Sequence, residues 1–218
     1  MNGIVKKIYN MTLRPYLPKK LAAYNGVIVR RPRLLDQTDV YKDYEQTLLS
    51  HIQQYVPRGS VVVIVGGGLG VSSVYAVRSG ARKVQTYEAS SERASIIRET
   101  VDLNKVTNKV EVDHAVVEMT EYVEGSVGDA DGVQAKDLPS CDVLVLDCEG
   151  AELEILKELS QYPKKVIVEC HPMFDVEVEQ MVEVLQEYDY EIQDQEAESV
   201  TKGQITILTA SREDSRNE

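Results

Sequence analysis

The chain has no tryptophan, a single phenylalanine and only three cysteines in 218 residues. Cys141, Cys148 and Cys170 are an odd set with no CxxC pair. That excludes a disulfide framework and a cysteine-based zinc site, and fits reduced thiols in a cytoplasmic protein. Seven prolines and 13 glycines are too few for a collagenous or low-complexity chain. No apolar run approaches the ~18 residues that a membrane span needs, so no span is expected. Residues 1–21 are basic and interrupted, and do not read as a secretory signal. What is present, 43% hydrophobic and 28% charged residues, suits one globular domain with an added arm. A chain of this length buries a full core without covalent staples.

Charge is unevenly spread. Acidic residues number 36 and basic residues 24, a net charge of −12. Residues 1–60 hold 10 Lys/Arg against 4 Asp/Glu, whereas residues 61–218 hold 14 against 32. The body therefore repels polyanions, and no specific nucleic-acid partner is expected. Six of the 12 tyrosines fall in the first sixty residues. A basic, tyrosine-rich arm suits an anionic or sugar ligand; its plainer role is a solvated basic helix packed on an acidic body. The acid excess, with so little Phe and Trp, also resembles proteins from salt-loving organisms. Screening there reaches only ~3 Å at 1 M salt, and a negative surface keeps a protein in solution.

From Val61 onward the pattern alternates between apolar run and amphipathic stretch. Val61–Val65 is continuously apolar and ends at Gly66, as a strand buried on both faces does. A helix over Val71–Ser79 closes at Gly80. A strand follows over Lys83–Tyr87, then a helix over Ser91–Asn104 with Ser90 or Ser91 as N-cap. Further strands are predicted at Val110–Val112, Asp142–Leu146 and Lys165–Val168, with helices at Ala151–Ser160 and Val176–Glu187. Gly125, Gly128, Gly132 and Pro139 mark a loop between Glu124 and Ser140. Tyr190–Ile192 and Gln204–Leu208 read as a partly exposed antiparallel edge pair. The pattern predicts an α/β domain over residues 59–210, after a basic helical and hairpin extension over 1–58 and before a polar tail over 211–218. Its sheet is mostly parallel with an antiparallel C-terminal edge and helices on both faces. Ligands in such sheets bind at the carboxyl ends of the strands, near the switch in strand order. Those ends are Gly66, Glu88, Asp113, Asp147 and Glu169.

The first strand leads into Gly66-Gly67-Gly68-Leu69-Gly70. Glycines there let the backbone approach a ligand and open the next helix toward it. A dinucleotide site wants G-x-G-x-x-G, but Val71 or Ser73 stands where its third small residue belongs. The G-x-G-x-G spacing of Gly66, Gly68 and Gly70 resembles that of class I S-adenosylmethionine-dependent methyltransferases. Glu88, 18 residues past Gly70, ends the second strand, where a carboxylate accepts ribose hydroxyls. Loop and acid together point to a nucleoside-type cofactor, and by themselves leave NAD as the rival.

A second signature follows the fourth strand: Asp147-Cys148-Glu149-Gly150-Ala151-Glu152. It resembles the D-x-E-G-x-E motif of FkbM-type methyltransferases, and Glu169-Cys170-His171-Pro172 resembles that family's E-x-H-P. The resemblance covers roughly Tyr44 to Pro172. It implies a Rossmann-like class I methyltransferase fold. It also implies S-adenosyl-L-methionine as cofactor and O-methylation of a hydroxyl on a sugar, glycan or small metabolite. Removing the hydroxyl proton requires a base, which Asp147, Glu149 or His171 supplies. Glu149 and Glu152 are three apart and share a face if the first helical turn includes both. The same three residues, Asp147, Glu149 and His171, offer an alternative as ligands of a divalent cation, although no metal is assigned.

One position departs from the methyltransferase pattern. The acid usual two residues before the first loop glycine is replaced by Ile64. Glu45, in Asp43-Tyr44-Glu45-Gln46, is the candidate substitute. Asp113, His114 and Ala115 fall where the family's adenine-side loop lies, and Asp147 faces both cofactor and acceptor. The remaining alternatives are an NAD-binding oxidoreductase and a cofactor-binding protein without catalysis.

Overall fold

The computed structural model describes residues 3–36, 38–118, 129–198 and 205–213. Gly125, Gly128, Gln204 and most of the expected tail lie outside the described residues. The chain opens with α1 (Gly3–Thr12), β1 (Lys19–Tyr24), β2 (Val27–Arg33), the short β3 (Val40–Tyr41) and α2 (Gln46–Tyr55). Asn25 and Gly26 have φ of 44° and 76°. Asn-Gly accepts these left-handed angles readily and closes a β1–β2 hairpin with the right twist.

The main sheet follows as β4 (Val61–Val65), β5 (Lys83–Glu88), β6 (Val110–Val117), β7 (Asp131–Val133), β8 (Val143–Leu146), β9 (Lys165–Cys170), β10 (Glu191–Ala197) and β11 (Thr206–Ser211). The helices between them are α3 (Val71–Ser79), α4 (Ser91–Leu103), α5 (Glu152–Glu158) and α6 (Val178–Glu187). The spatial order is β10-β11-β9-β8-β4-β5-β6-β7. All pairs from β9 to β7 are parallel, and β11 is antiparallel to both β9 and β10. The chain fills one side of β4, then returns to fill the other from β8. The switch point therefore lies between the ends of β4 and β8, at Gly66 and Asp147.

Alternation along the strands divides the core. Val62 and Ile64 pack with α2, α3, α4 and the hairpin residues Ala22, Tyr24, Val27 and Val29. Val63 and Val65 face the other way, with Leu153 and Ile155 of α5 and Met181 and Leu185 of α6. The N-terminal extension is thus joined to the domain by a shared core. Glu198 closes this joint by accepting a hydrogen bond from the Thr47 backbone N–H at 3.0 Å, an N-terminal donor of α2.

Four expectations are corrected. β6 runs to Val117 rather than Val112, because pairing with β5 and then β7 keeps it extended; its carboxyl end is Glu118, not Asp113. β9 extends through Glu169 to Cys170, paired with β11. β11 is not exposed: Ile207, Leu208 and Ala210 are fully buried between two neighbours. α5 starts at Glu152, after Glu149 and Gly150 at φ of 57° and 115°. Glu149 and Glu152 therefore share no helical face.

α2 is fixed to the sheet by His51, whose Nδ1 lies 2.7 Å from Thr209 Oγ1. Burial holds the imidazole below its ordinary 6.5, against the opposing pull of Asp194 and Glu196. The unfolded chain therefore takes up this proton at a pH where the folded chain does not. Stability is full above pH 6.5 and falls as pH drops from there through the folded value. His51→Asn, which keeps a partner for Thr209, is expected to flatten that slope in thermal melts between pH 7.5 and 5, set against the parent.

Candidate active site

The glycine loop is shaped by what it must pass. Gly66 (φ +88°) lies so close to the next strand that a Cβ on it would stand 1.7 Å from the Asp147 carbonyl oxygen. Its amide donates to the Tyr87 carbonyl at 3.0 Å, and the Asp147 amide donates to Val65 at 2.9 Å. At Gly68 (φ +54°) a Cβ would meet only Tyr44 Oη at 3.5 Å and Glu45 Oε1 at 3.9 Å, on the open side. Glu88 is buried, and its two oxygens accept from the Gly68 amide at 3.0 Å and the Ser90 amide at 2.9 Å. The loop and the strand-end acid are therefore one hydrogen-bonded unit.

Asp147, Glu149, Glu169 and His171 gather across the switch point. His171 is 5% exposed. Its Nε2 lies 3.7 Å from Asp147 Oδ1 and 3.5 Å from Glu169 Oε1, and its Nδ1 lies 3.3 Å from Glu152 Oε1. Glu152 turns back over its helix start and accepts from the amides of Cys148 at 3.1 Å and Gly150 at 2.8 Å. Glu45 enters from the arm at φ 45° and precedes α2. Such a backbone costs of order 1–3 kcal/mol in a non-glycine residue and concentrates at functional sites. The Asn25 side-chain amide donates to the Tyr44 carbonyl and holds this turn. Burial, then neighbouring acids including Glu169, push Glu45 up to about 8, although Tyr44 hydrogen-bonds its charged form. Burial likewise lifts Glu169 to about 7 and Asp147 well above the usual carboxylate range.

Two cavities meet here. A narrow slot of about 50 Å³ runs past Gly66, Glu88, Ala89, Ala115 and Val116. A wider chamber of about 480 Å³ is bordered by Arg31, Tyr44, Glu45, Gly68, Glu169 and His171. Arg93, Asp147 and Glu149 belong to both walls. Beyond Arg31 and Tyr44 a third hollow of about 470 Å³ lies under Arg14, Lys19, Tyr24, Arg33 and Tyr41.

A family profile described as "Methyltransferase FkbM domain" matches residues 74–192, more than half of the chain. The chain belongs to the FkbM methyltransferase family. Among relatives, a probable protein arginine N-methyltransferase 6.1 of Oryza sativa subsp. indica is 36% identical over 101 residues, 45% of this chain and 25% of its own length. The chain thus spans about a quarter of that relative. Among solved structures, a ribosomal protein L11 methylase from Lactobacillus delbrueckii subsp. bulgaricus superposes with a TM-score of 0.57 at 16% identity, covering 84% of this chain and 90% of that one. A Streptococcus pneumoniae putative tRNA (m1A22) methyltransferase, solved with S-adenosyl-L-methionine, gives 0.55 at 13% identity over 79% and 75%. These structural likenesses show the Rossmann-like methyltransferase fold.

Within this FkbM fold, most residues singled out in the sequence converge. Gly66, Gly68, Glu88, Ala115, Asp147, Glu149, His171 and Glu45 line the slot or the chamber. Gly70 is set back, as the left-handed N-cap of α3 against Ile97. Asp113 points away and accepts from Gln85 Nε2 at 2.7 Å, while His114 Nε2 lies 3.2 Å from the Ala89 carbonyl oxygen. Both lie short of the slot because β6 continues past them. Ile64 is fully buried in the apolar core, and the carboxylates beside the loop are those of Glu45 and Glu88. Among the described residues, the triplet of ligand type is Asp147, Glu169 and His171, with one atom of each within 4.8 Å of the others. Glu169 therefore takes the place that the sequence offered to Glu149. Glu169 stood out as a strand end and as the first residue of the E-x-H-P stretch, and Tyr44 as the neighbour of Glu45; Arg31 and Arg93 carried no local signal.

The glycines are expected to separate fold from site. Gly68→Ala costs about 1 kcal/mol for its left-handed backbone and leaves a cooperative melt. Gly66→Ala, whose methyl overlaps the Asp147 carbonyl, loses that melt by circular dichroism.

Proposed function

We propose that this chain is an S-adenosyl-L-methionine-dependent O-methyltransferase whose acceptor is a hydroxyl of a sugar, glycan or small metabolite carrying negative charge. The observation that carries the reading is the common wall of slot and chamber, formed by Arg93, Asp147 and Glu149. A cofactor held at Gly66, Gly68 and Glu88 supplies an electrophilic methyl group on a sulfonium sulfur. Glu88, already oriented by two backbone amides, keeps further lone pairs for the ribose hydroxyls. Glu45 lies beside Gly68 and suits the cofactor's amino-acid end. Asp147 and Glu149 align the acceptor hydroxyl, and one of the two carboxylates takes its proton as the oxygen attacks. Alignment of the reacting atoms supplies much of the rate. Arg31, with the Tyr24, Tyr41 and Tyr44 cluster beyond it, receives the rest of the acceptor. The net charge of −12 works against a polyanionic RNA acceptor.

The arginine methyltransferases among the relatives raise one rival, a guanidinium lodged in the acidic chamber. A labelled-methyl assay across anionic sugars, neutral sugars and arginine peptides separates the two. Transfer to sugar hydroxyls is expected; transfer confined to arginine peptides overturns the reading. Asp147→Asn is expected to retain S-adenosylhomocysteine binding by calorimetry while kcat falls by about 100-fold or more. Arg31→Ala is expected to raise KM for anionic acceptors about tenfold, equivalent to one charge-assisted contact, and to leave neutral acceptors unaffected.

A further inference from the structure

We propose that Asp147, Glu169 and His171 bind one hard divalent cation, of the magnesium or manganese class, at the floor of the acidic chamber. The first observation is geometric. Nε2 of His171 lies 3.7 Å from Asp147 Oδ1 and 3.5 Å from Glu169 Oε1, with all three ligand atoms inside 4.8 Å. A point equidistant from the three lies no more than about 2.4 Å from each, and closure by at most a few tenths of an ångström reaches the magnesium distance. The ligands come from the end of β8, from β9 and from the residue after β9. Two adjacent parallel strands therefore fix their spacing.

The second observation is the state of His171. The ring is 5% exposed, and its buried Nδ1 completes no hydrogen bond. Nε2 points between two carboxylates at separations too long for hydrogen bonds. Glu152, fully buried and fixed by the Cys148 and Gly150 amides, faces Nδ1 at 3.3 Å. A carboxylate behind the far nitrogen is the usual outer support of a metal-bound imidazole. With a cation bound, that contact would place the proton on Nδ1 and turn the Nε2 lone pair toward Asp147 and Glu169. A cation between Asp147, Glu169 and Nε2 would hold both carboxylates in their ionised form. Glu149 stands outside the set, on its left-handed turn with Oε1 3.9 Å from Arg93. Three protein ligands leave positions for water and for an acceptor oxygen. That use of the cation rests on the O-methylation reading; its binding does not.

The test is titration of the whole protein with manganese chloride, following free Mn²⁺ by electron paramagnetic resonance. S-adenosylhomocysteine binding is measured on the same samples. One Mn²⁺ per chain is expected, with nitrogen-14 modulation in its spin-echo signal from the imidazole, a readout that needs no variant. His171→Ala and Glu169→Gln are expected to weaken binding by about 100-fold or more, beyond the 10–100-fold of outer-shell losses. Glu149→Gln, which removes a neighbouring charge but no ligand atom, is expected to weaken binding by about tenfold at most, the low end of outer-shell losses. Three results would overturn the site. They are no saturable binding by protein that still binds S-adenosylhomocysteine, bound Mn²⁺ without nitrogen modulation, or equal losses in Glu149→Gln and Glu169→Gln. Mn²⁺ binding without S-adenosylhomocysteine binding would instead keep the site and remove the methyl-transfer reading.

Discussion

The contact between Gly66 and the carbonyl of Asp147 governs the carboxyl edge of the sheet. Two neighbouring parallel strands end there and must part, one turning into the glycine loop and the other into the acidic turn. The backbones pass so closely that no side chain fits at Gly66. That closeness brings a loop able to approach a ligand against the acids that follow β8. Were the strands to part earlier, Glu88 would lose the Gly68 amide that holds one of its oxygens. His171 and Glu169 would also lose their register with Asp147.

The arm completes what the sheet leaves open. In many folds of this type the acid above the loop comes from the first strand, but Ile64 is fully buried here among apolar side chains. A carboxylate at that depth would lack a partner and carry the full cost of desolvation. Glu45 comes instead from outside the sheet. Its position depends on α2, which the Glu198 contact to Thr47 and the His51–Thr209 pair fasten to the C-terminal strands. The hairpin is fastened on the other side: Arg30 pairs with Glu99 of α4, and the Ile28 backbone bonds Asn104. If Glu45 holds the cofactor as proposed, docking of the arm is a condition of binding.

The parts of the fold governed by local pattern were readable from the residues. The all-valine and isoleucine run of β4, the Gly80 stop after α3 and the Ser90 cap of α4 are each decided within a few positions. The strand ends were less readable, because pairing partners decide them. β6 contains Glu111, Asp113 and His114, polar enough to look like a loop, yet β5 and β7 hold it extended through Val117. The same non-local cause hid part of the site. Glu149 and Glu152 look equivalent at a spacing of three, but the left-handed turn at Glu149 and Gly150 sends one to the chamber wall and the other back beneath His171. Tyr44 and Arg31 reach the site only through tertiary packing, which no spacing rule encodes.

The chamber's charge explains why its acids come from separate elements. Glu45, Asp147, Glu149 and Glu169 share a partly dry space with Arg31, Arg93 and one imidazole. Repulsion among them is stronger there than in water. On a single flexible loop such acids would move apart; here they are held by α2, the turn after β8, and β9. The frame thus stores an unfavourable arrangement that a positively charged occupant relieves. Ligand binding and arm docking then reinforce each other, since whatever neutralises Glu45 and Glu169 together also lowers the cost of keeping α2 against the sheet.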